Sequence, residues 1–293
     1  MLYLAFALAL LIAFLIVAGW RESQYIIQRR QPDEPDSPAR YGLPFEEVEF
    51  KSRDGITLRG WFIPAHQAKG TVIFCHGHAG SMDPDLKYAP WFHSSGFNVL
   101  MFDFRGHGRS EGDKISMGYF ERFDLLGAVD YLRGRGIDNI GVLGFSMGGA
   151  VAITTAAVEP SIKAVACDGA FAHLLEVLVR GIGVINPALR PIGFIAGPLA
   201  LLFASLRLGA WLPSADPIRW VAKISPRPIL IIHGEKDVFI STQAIKALYQ
   251  AAGEPKELWI VPNAGHRNAD ELYPHEWKER VIGFFEKWLG GSG

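Results

Sequence analysis

The sequence of 293 residues has few cysteines, no excess of charge of either sign and no internal repeat. Its two cysteines, Cys75 and Cys167, lie near the ends of apolar runs, which favours buried free thiols over a disulfide. Basic residues number 29 and acidic residues 30, so the net charge of −1 predicts no nucleic-acid partner. A chain of this length can hold one large α/β domain and a small appendage.

Charge is also absent from residues 2–20, and this run is almost wholly apolar. A helix of about 19 residues, at about 1.5 Å each, is roughly as long as the bilayer hydrocarbon is thick. Tyr3 and Trp20 stand at its two ends, where interfacial aromatic residues are common. We therefore expect residues 1–20 to form a single transmembrane anchor. A cleaved signal peptide is the alternative, but a basic region before the apolar run is missing and the run is long for a signal.

The residues after the apolar run predict its orientation. Arg21, Arg29 and Arg30 follow it and no basic side chain precedes it, so the positive-inside rule places the rest of the chain on the cytoplasmic side. Residues 21–44 contain several prolines and carboxylates and are expected to be a linker.

From residue 45 onward, short apolar runs alternate with segments of helical period. Residues 48–50 and 56–63 are expected to form an antiparallel pair, because the turn Arg53-Asp54-Gly55 between them is a hairpin signal. The alternation predicts an α/β fold with a mainly parallel sheet and helices on both faces, made by residues 45–170 and 214–293. Further strands are expected at 71–75, 98–102, 140–145, 162–167, 228–232 and 257–261, and helices at 85–92, 119–132, 147–158, 242–251 and 275–289.

One segment breaks this alternation. About sixty residues separate the strand ending at Cys167 from the strand starting at Pro228, which is more than one crossover helix needs. Within it, residues 171–213 are rich in small and aliphatic residues and are expected to form a helical cap. A second membrane span and an ordinary buried insert are the alternatives.

The pattern G-x-S-x-G occurs at residues 144–148, after an aliphatic run and before small helix formers. This context is typical of a nucleophile elbow, a strained turn that needs glycine on either side of the serine. The turn would lift the Ser146 hydroxyl to the carboxyl edge of the sheet and direct the first amides of the next helix at the same place. Ser146 is therefore the candidate nucleophile.

A serine hydroxyl needs a base to take its proton and a carboxylate to orient that base. Around such an elbow, the acid and then the histidine follow the serine in the chain, on loops after later strands. Asp237 lies in the loop that leaves the strand at 228–232 and is the preferred acid. Asp168, at the end of the preceding strand, and Glu235 are its rivals.

The preferred base is His266, which lies in the loop after the strand ending at Val261 and follows the acid in the chain. His275 opens the last helix and is expected at the surface. The histidines at 76, 78 and 107 precede the serine and do not fit the order.

Stabilisation of an oxyanion requires two backbone N–H groups. Met147 follows the nucleophile and supplies the first. His78 lies in the glycine-rich loop after the strand at 71–75 and is the expected second donor. A metal site at His76 and His78 is the alternative, but no H-E-x-x-H or other third-ligand pattern accompanies them.

With these motifs in place, residues 45–289 resemble the α/β-hydrolase family. The resemblance is carried by the His76-Gly77 loop, the segment Asp103–Ser110, the elbow, and the loops of Asp237 and His266. It implies a similarity to esterases, monoacylglycerol lipases and lysophospholipases with a cap insertion. The segment at 103–110 is similar to a structural turn of the family. The H-G-G-G loop of hormone-sensitive-lipase-like esterases is missing, and the serine at 146 argues against the dehalogenases and epoxide hydrolases that carry aspartate there.

The sequence thus predicts a membrane-tethered serine hydrolase of carboxylic esters, with acyl lipids or other hydrophobic esters as substrates. Ser146 would attack, His266 would move the proton and Asp237 would orient His266, without a cofactor or a metal. The membrane, through the N-terminal helix, is the other expected partner, and the oligomeric state stays open. A thioesterase or serine peptidase with the same triad, and a catalytically silent binding protein on this fold, are the alternatives.

Overall fold

The computed structural model describes residues 2–78, 80–185 and 190–291. In this part of the chain eight strands form one sheet in the order β1-β2-β4-β3-β5-β6-β7-β8. The strands are β1 (Glu46–Lys51), β2 (Thr57–Ile63), β3 (Gly70–Cys75), β4 (Phe97–Phe102), β5 (Ile140–Phe145), β6 (Ile162–Asp168), β7 (Ile229–Gly234) and β8 (Lys256–Val261).

The pairing of the strands confirms the predicted α/β-hydrolase class of fold. β1 and β2 are antiparallel, with Lys51 opposite Thr57 next to the expected hairpin turn, and β2 runs antiparallel to β4. All other neighbours in the sheet are parallel. β3, β5 and β7 are buried along their whole length, as expected for parallel strands that helices cover on both faces.

The helices of the core lie close to their predicted positions, with one difference. Residues 85–92 do not form a single α-helix: a 3-10 helix spans Asp83–Tyr88 and an α-helix follows from Ala89. Pro90 explains the break, because a proline lacks the N–H that a helix interior requires but fits the first turn of a new helix. The helices outside the N-terminal and cap regions are α2 (Ala89–Ser94), α3 (Glu121–Gly134), α4 (Met147–Ala156), α7 (Thr242–Ala251), α8 (Ala269–Leu272) and α9 (Pro274–Leu289).

Two hydrophobic cores lie on opposite faces of the sheet. One includes Leu125 of α3 and Val151 of α4. The other includes Trp277 of α9 and Tyr88, whose stacked rings have centroids 4.6 Å apart. The elbow lies between these cores, so its backbone is held from both sides.

The N-terminal helix is longer than the predicted anchor. α1 spans Leu2–Ile27, so residues 21–27 of the expected linker are helical. The residues that follow pack on the core: the Arg29 guanidinium donates to the carbonyls of Gly108, Ser110 and Gly112 at 2.6–3.0 Å. The proline and charge content that predicted a linker does not reveal these contacts, because they join residues about eighty positions apart.

The expected cap region contains two long helices, α5 (Leu174–Ile185) and α6 (Arg190–Leu208), which pack against each other. Residues 186–189 of the predicted cap lie outside the described residues. α6 also packs along α1. The cap therefore connects the apolar N-terminal helix to the carboxyl edge of the sheet.

Candidate active site

Ser146 sits at the turn between β5 and α4 with φ 51° and ψ −113°, a positive φ that side chains rarely adopt. The turn depends on glycine at the positions two residues before and two residues after Ser146. A Cβ at residue 144 would lie 2.4 Å from the Gly148 oxygen, and a Cβ at residue 148 would lie 2.0 Å from the Cys75 oxygen. The strain at Ser146 places its hydroxyl above the sheet edge.

The structure brings the three expected side chains together. His266 Nε2 lies 2.9 Å from the Ser146 Oγ, and His266 Nδ1 lies 2.7 Å from the Asp237 Oδ2. They come from the ends of β5, β7 and β8, since parallel strands present their carboxyl ends at one edge of the sheet. This is the geometry in which a base can accept a serine proton while a carboxylate fixes its tautomer.

Asp237 is buried and held in its charged form. Burial works against ionisation, but the hydrogen bond with His266 and the amides of Phe239 and Ile240, which donate to Oδ1 at 2.8 and 3.0 Å, outweigh it. The pKa of Asp237 is therefore lower than its ordinary value. A charged acceptor behind His266 stabilises the imidazolium that forms when the base takes a proton.

The rival acids have other partners. Asp168 Oδ2 accepts a hydrogen bond from the Trp277 indole at 2.8 Å, and burial raises the pKa of Asp168 to about 6. Glu235 Oε2 accepts from the Asn263 amide at 3.1 Å. Neither carboxylate is hydrogen-bonded to His266, and His275 is exposed on α9, as expected.

His233 is a neighbour of the acid that the sequence did not single out. It is fully buried on β7, and its Nδ1 lies 3.9 Å from the Asp237 Oδ2. Burial lowers the pKa of His233, so the ring is neutral and does not compete with His266 as a counter-ion. Its place at the end of an apolar run gave no sign of this proximity.

Two loops frame the expected oxyanion site. Met147 is the first residue of α4, and the amides of a first helical turn have no partner inside the helix. His78 lines the cavity in front of Ser146. His76 has a structural contact instead, because its Nε2 accepts the Phe104 amide at 2.9 Å.

The segment after α1 reaches the expected oxyanion loop, which carries His78 and Ser81. The sequence did not predict this contact. Arg30 donates to His78 Nε2 at 2.7 Å, and the Asp33 carboxylate accepts from the Ser81 amide at 2.8 Å. Gly80 leaves room for this contact, since a Cβ there would lie 2.4 Å from the Asp33 carboxylate. Burial and the neighbouring Arg30 charge lower the pKa of His78 to about 3, so its ring stays neutral and accepts from the arginine.

The first cap helix, α5, contacts the acid loop, which is residues 235–241 between β7 and α7. Arg180 of α5 donates to the carbonyls of Val238 and Asp237 at 3.1 and 3.3 Å, and Glu176 accepts from the Ser241 amide at 3.0 Å. These contacts join the cap to the loop that carries the acid. They depend on the packing of α5 over the sheet edge and have no local signature in the sequence.

A cavity of about 410 Å³ opens in front of Ser146 and His266. Its walls are mainly apolar and come from the core, the cap and the acid loop: Met117, Phe171, Val177, Phe239 and Ile240. Arg267 also borders the cavity, with its guanidinium paired with Asp85 and packed 4.4 Å from the centre of the Phe145 ring. The space beside the nucleophile therefore suits an apolar group.

Two family models match the chain. Residues 66–199 match a family described as serine aminopeptidase, S33, and residues 210–292 match the prolyl oligopeptidase family. The first match includes Ser146, and the second includes Asp237 and His266.

Curated proteins are similar over most of the chain. The uncharacterized protein YfhR of Escherichia coli O157:H7 is 31% identical over 250 residues, which cover 82% of this chain and 80% of that protein. Protein bem46 of Schizosaccharomyces pombe is 28% identical over 229 residues, which cover 75% of this chain and 70% of that protein.

Solved structures share the fold. An esterase of Pyrococcus furiosus, Pf2001, superposes with a TM-score of 0.78 at 27% identity and covers 90% of this chain and 99% of its own. The α/β hydrolase GrgF of a Penicillium species has a TM-score of 0.68 at 25% identity and covers 85% of this chain and 100% of its own. The likeness to both structures covers most of the chain.

Proposed function

Because this chain belongs to the α/β-hydrolase family, we propose that it hydrolyses carboxylic esters, with acyl lipids or other hydrophobic esters as substrates. One observation carries the proposal. Ser146 Oγ, both nitrogens of His266 and the carboxylate of Asp237 form a continuous hydrogen-bonded series, with separations of 2.9 and 2.7 Å. This arrangement serves acyl transfer through a serine nucleophile.

In the proposed reaction, Ser146 Oγ attacks the ester carbonyl carbon as His266 Nε2 takes its proton. The amides of Met147 and His78 bind the negative oxygen that forms, and Asp237 stabilises the charged imidazole. His266 then gives the proton to the departing alkoxide, which leaves an acyl group on Ser146. A water molecule, deprotonated by His266, attacks this acyl-enzyme, releases the carboxylic acid and restores the serine.

The cavity supports an apolar acyl group. Its volume of about 410 Å³ lies within the usual range of small-molecule sites, and its apolar walls stand directly beside the nucleophile. Burial of methylene groups in such a space contributes about 0.8 kcal/mol for each group. We therefore expect longer acyl chains to be preferred to acetyl groups.

The N-terminal helix supports a membrane location. α1 is long and apolar enough to cross a bilayer, and its first half stands exposed, apart from the core. We propose that residues 1–20 anchor the enzyme in a membrane, with the catalytic domain on the cytoplasmic side, where Arg21, Arg29 and Arg30 follow the span. An anchored hydrolase has direct access to substrates that dissolve in the bilayer.

A peptidase is the second candidate, because both family models are described as peptidase families. An aminopeptidase must bind the positively charged amine of its substrate, for which a carboxylate is the usual partner. None of the described residues that line the cavity carries a carboxylate. One of them, Arg267, carries a positive charge. The site therefore favours esters over peptides with a free amino terminus.

The test is a panel of chromogenic substrates: short- and long-chain acyl esters, an acyl thioester and an amino-acid anilide. The full-length protein in detergent should cleave the esters, with the highest kcat/KM on the longer chains, and Ser146→Ala should be inactive. Faster cleavage of the anilide would favour the peptidase, and faster cleavage of the thioester a thioesterase. No turnover of any substrate would favour a binding protein, and preference for short esters would refute the lipid part.

A further inference from the structure

The cap helix α6 has its large apolar side chains on the outside. Exposed apolar residues recur every four positions, at 194, 198, 202 and 206. The exposed fractions are 73% for Phe194, 42% for Leu202 and 67% for Leu206, and Pro198 is also exposed. The opposite face is buried and made mainly of small residues: Gly193, Ala196, Gly197, Ala200 and Ala204. A helix on a water-soluble surface shows the reverse pattern, whereas small residues at contacts and large apolar residues outside are typical of helices in lipid.

α6 lies against the proposed membrane anchor. Gly19 of α1 allows a close approach, because a Cβ there would lie 2.6 Å from the Leu199 Cβ. Trp20 packs edge-to-face on Phe203, with ring centroids 5.5 Å apart. The outward stripe of α6 is therefore continuous with the exposed apolar surface of α1.

The charge at the carboxyl end of α6 fits the same environment. No charged residue occurs between Arg190 and Arg207, so the stripe is uncharged along its whole length. The Arg207 guanidinium lies 3.5 Å from the centre of the Trp20 ring, at the level where the apolar run of α1 ends and Arg21 follows. Tryptophan and arginine together at this level are typical of a membrane boundary.

An apolar groove of about 760 Å³ runs between α5 and α6. Leu175, Val179, Phe194 and Leu202 contribute to its walls, and Arg219 to its rim. On α5, Glu176 and Arg180 border both this groove and the acid loop. A change in the position of α5 would therefore reach the candidate active site.

From these observations we propose that the outer face of α6 and the groove beside it contact the acyl chains of bilayer lipids, next to α1. The proposal rests on the proposed membrane anchor and adds the cap as a second membrane-contacting element. α6 is not a second span, because α5 starts on the core and the residues after α6 return to it, with Leu212 and Ala215 buried. This contact would hold the cap, and the candidate active site below it, next to the membrane, where acyl lipids reside.

The experiment places an environment-sensitive fluorophore on single introduced cysteines of the full-length protein in phosphatidylcholine vesicles. Phe194→Cys and Leu206→Cys report on α6, Leu8→Cys reports on α1, and Val158→Cys, which replaces an apolar residue 51% exposed on the core, is the matched control. Cys75 and Cys167 are buried, and burial raises the pKa of both thiols, so neither competes for the label.

We expect brominated acyl chains to quench the labels at 194, 206 and 8 several-fold more than the label at 158, which aqueous iodide should quench instead. If iodide alone quenches the labels at residues 194 and 206, while brominated lipid still quenches the label at residue 8, the proposed contact of α6 is overturned and the proposed anchor is supported. Iodide quenching at 8 as well would overturn both. Hydrolysis of a soluble ester by each labelled protein shows that the protein is folded. If neither the variants nor the wild type hydrolyses the ester, the result counts against the proposed reaction and not against the lipid contact.

Discussion

The loops at the carboxyl edge of the sheet and the two helices above them follow opposite packing rules. At the edge, Ser146, His266 and Asp237 are each held by hydrogen bonds to named partners, and the acid is fully buried. In α6, the buried face is small and the exposed face is large and apolar. Under the proposed function, Ser146, His266 and Asp237 form a catalytic floor that carries the chemistry. The cap above it would face the lipid.

The identity of the acid gives the largest expected effect on the catalytic floor. Asp237→Asn should lower kcat about ten-thousand-fold, because an amide removes the negative charge and favours the wrong tautomer of His266. Asp168→Asn is the matched control and should retain most of the activity, since Asp168 pairs with Trp277. Steady-state kinetics with one ester measures both. The reverse order of losses would assign the acid to Asp168.

A side chain added at the elbow, next to the catalytic floor, should destabilise the protein. Gly148→Ala should reduce the free energy of unfolding by about 3 kcal/mol or more, because its Cβ would collide with the Cys75 oxygen. Gly283→Ala is the control: no atom lies within 4 Å of its Cβ and the site is an exposed helix position, so it should stabilise by about 0.5–1 kcal/mol. Urea unfolding measures both changes, and equal midpoints would contradict this account of the elbow.

The two buried carboxylates should also differ in their effect on stability with pH. Burial raises the pKa of Asp168 to about 6, so the folded state binds its proton more tightly than the unfolded state does. This contribution is complete below about pH 4 and is lost as pH rises through about 6.

The stability of the wild type relative to Asp168→Asn should therefore fall by roughly 2 kcal/mol between about pH 4 and pH 7. Urea unfolding of both proteins across this range gives the difference, in which the other titrating groups cancel. A difference that does not change with pH would contradict the raised pKa.

The smallest effect concerns the segment between α1 and the core. Arg30→Ala should lower kcat about tenfold with little change in KM, because His78 loses the contact that holds the oxyanion loop. Arg30→Lys keeps a donor and should recover part of the loss, and Arg40→Ala, an exposed arginine of the same segment, should have no effect. A rise in KM at constant kcat would mean that Arg30 serves substrate binding and does not position the oxyanion loop.

Local patterns were sufficient to predict the sheet and the position of the nucleophile. The aliphatic runs gave β3 to β8 within a few residues, and the glycines around Ser146 indicated a turn whose positive φ the structure contains. The chain order of acid and histidine selected Asp237 and His266, which the structure brings to hydrogen-bond distance. The strands and the turn depend on neighbours in the chain, and the two loop residues follow from the chain order that a nucleophile elbow implies.

Long-range contacts outside the group of Ser146, His266 and Asp237 were not predictable. Arg30 and His78 are 48 residues apart, and the contact of Arg180 with the Asp237 carbonyl spans 57 residues. The pairing of α1 with α6 depends on Gly19, whose small size matters only against Leu199. Composition predicted a linker at residues 21–44 because it does not show long-range contacts. The hydrogen bonds from Arg29 to carbonyls about eighty positions away are such contacts.

In the proposed reaction, His266 and Asp237 activate the hydroxyl of Ser146. Reaction with a fluorophosphonate, followed by peptide mass spectrometry, measures this activation. The wild type should carry one adduct, on Ser146; Ser146→Ala should carry none, and His266→Gln should react far more slowly. An adduct on another residue, or equal rates for the wild type and His266→Gln, would contradict the account.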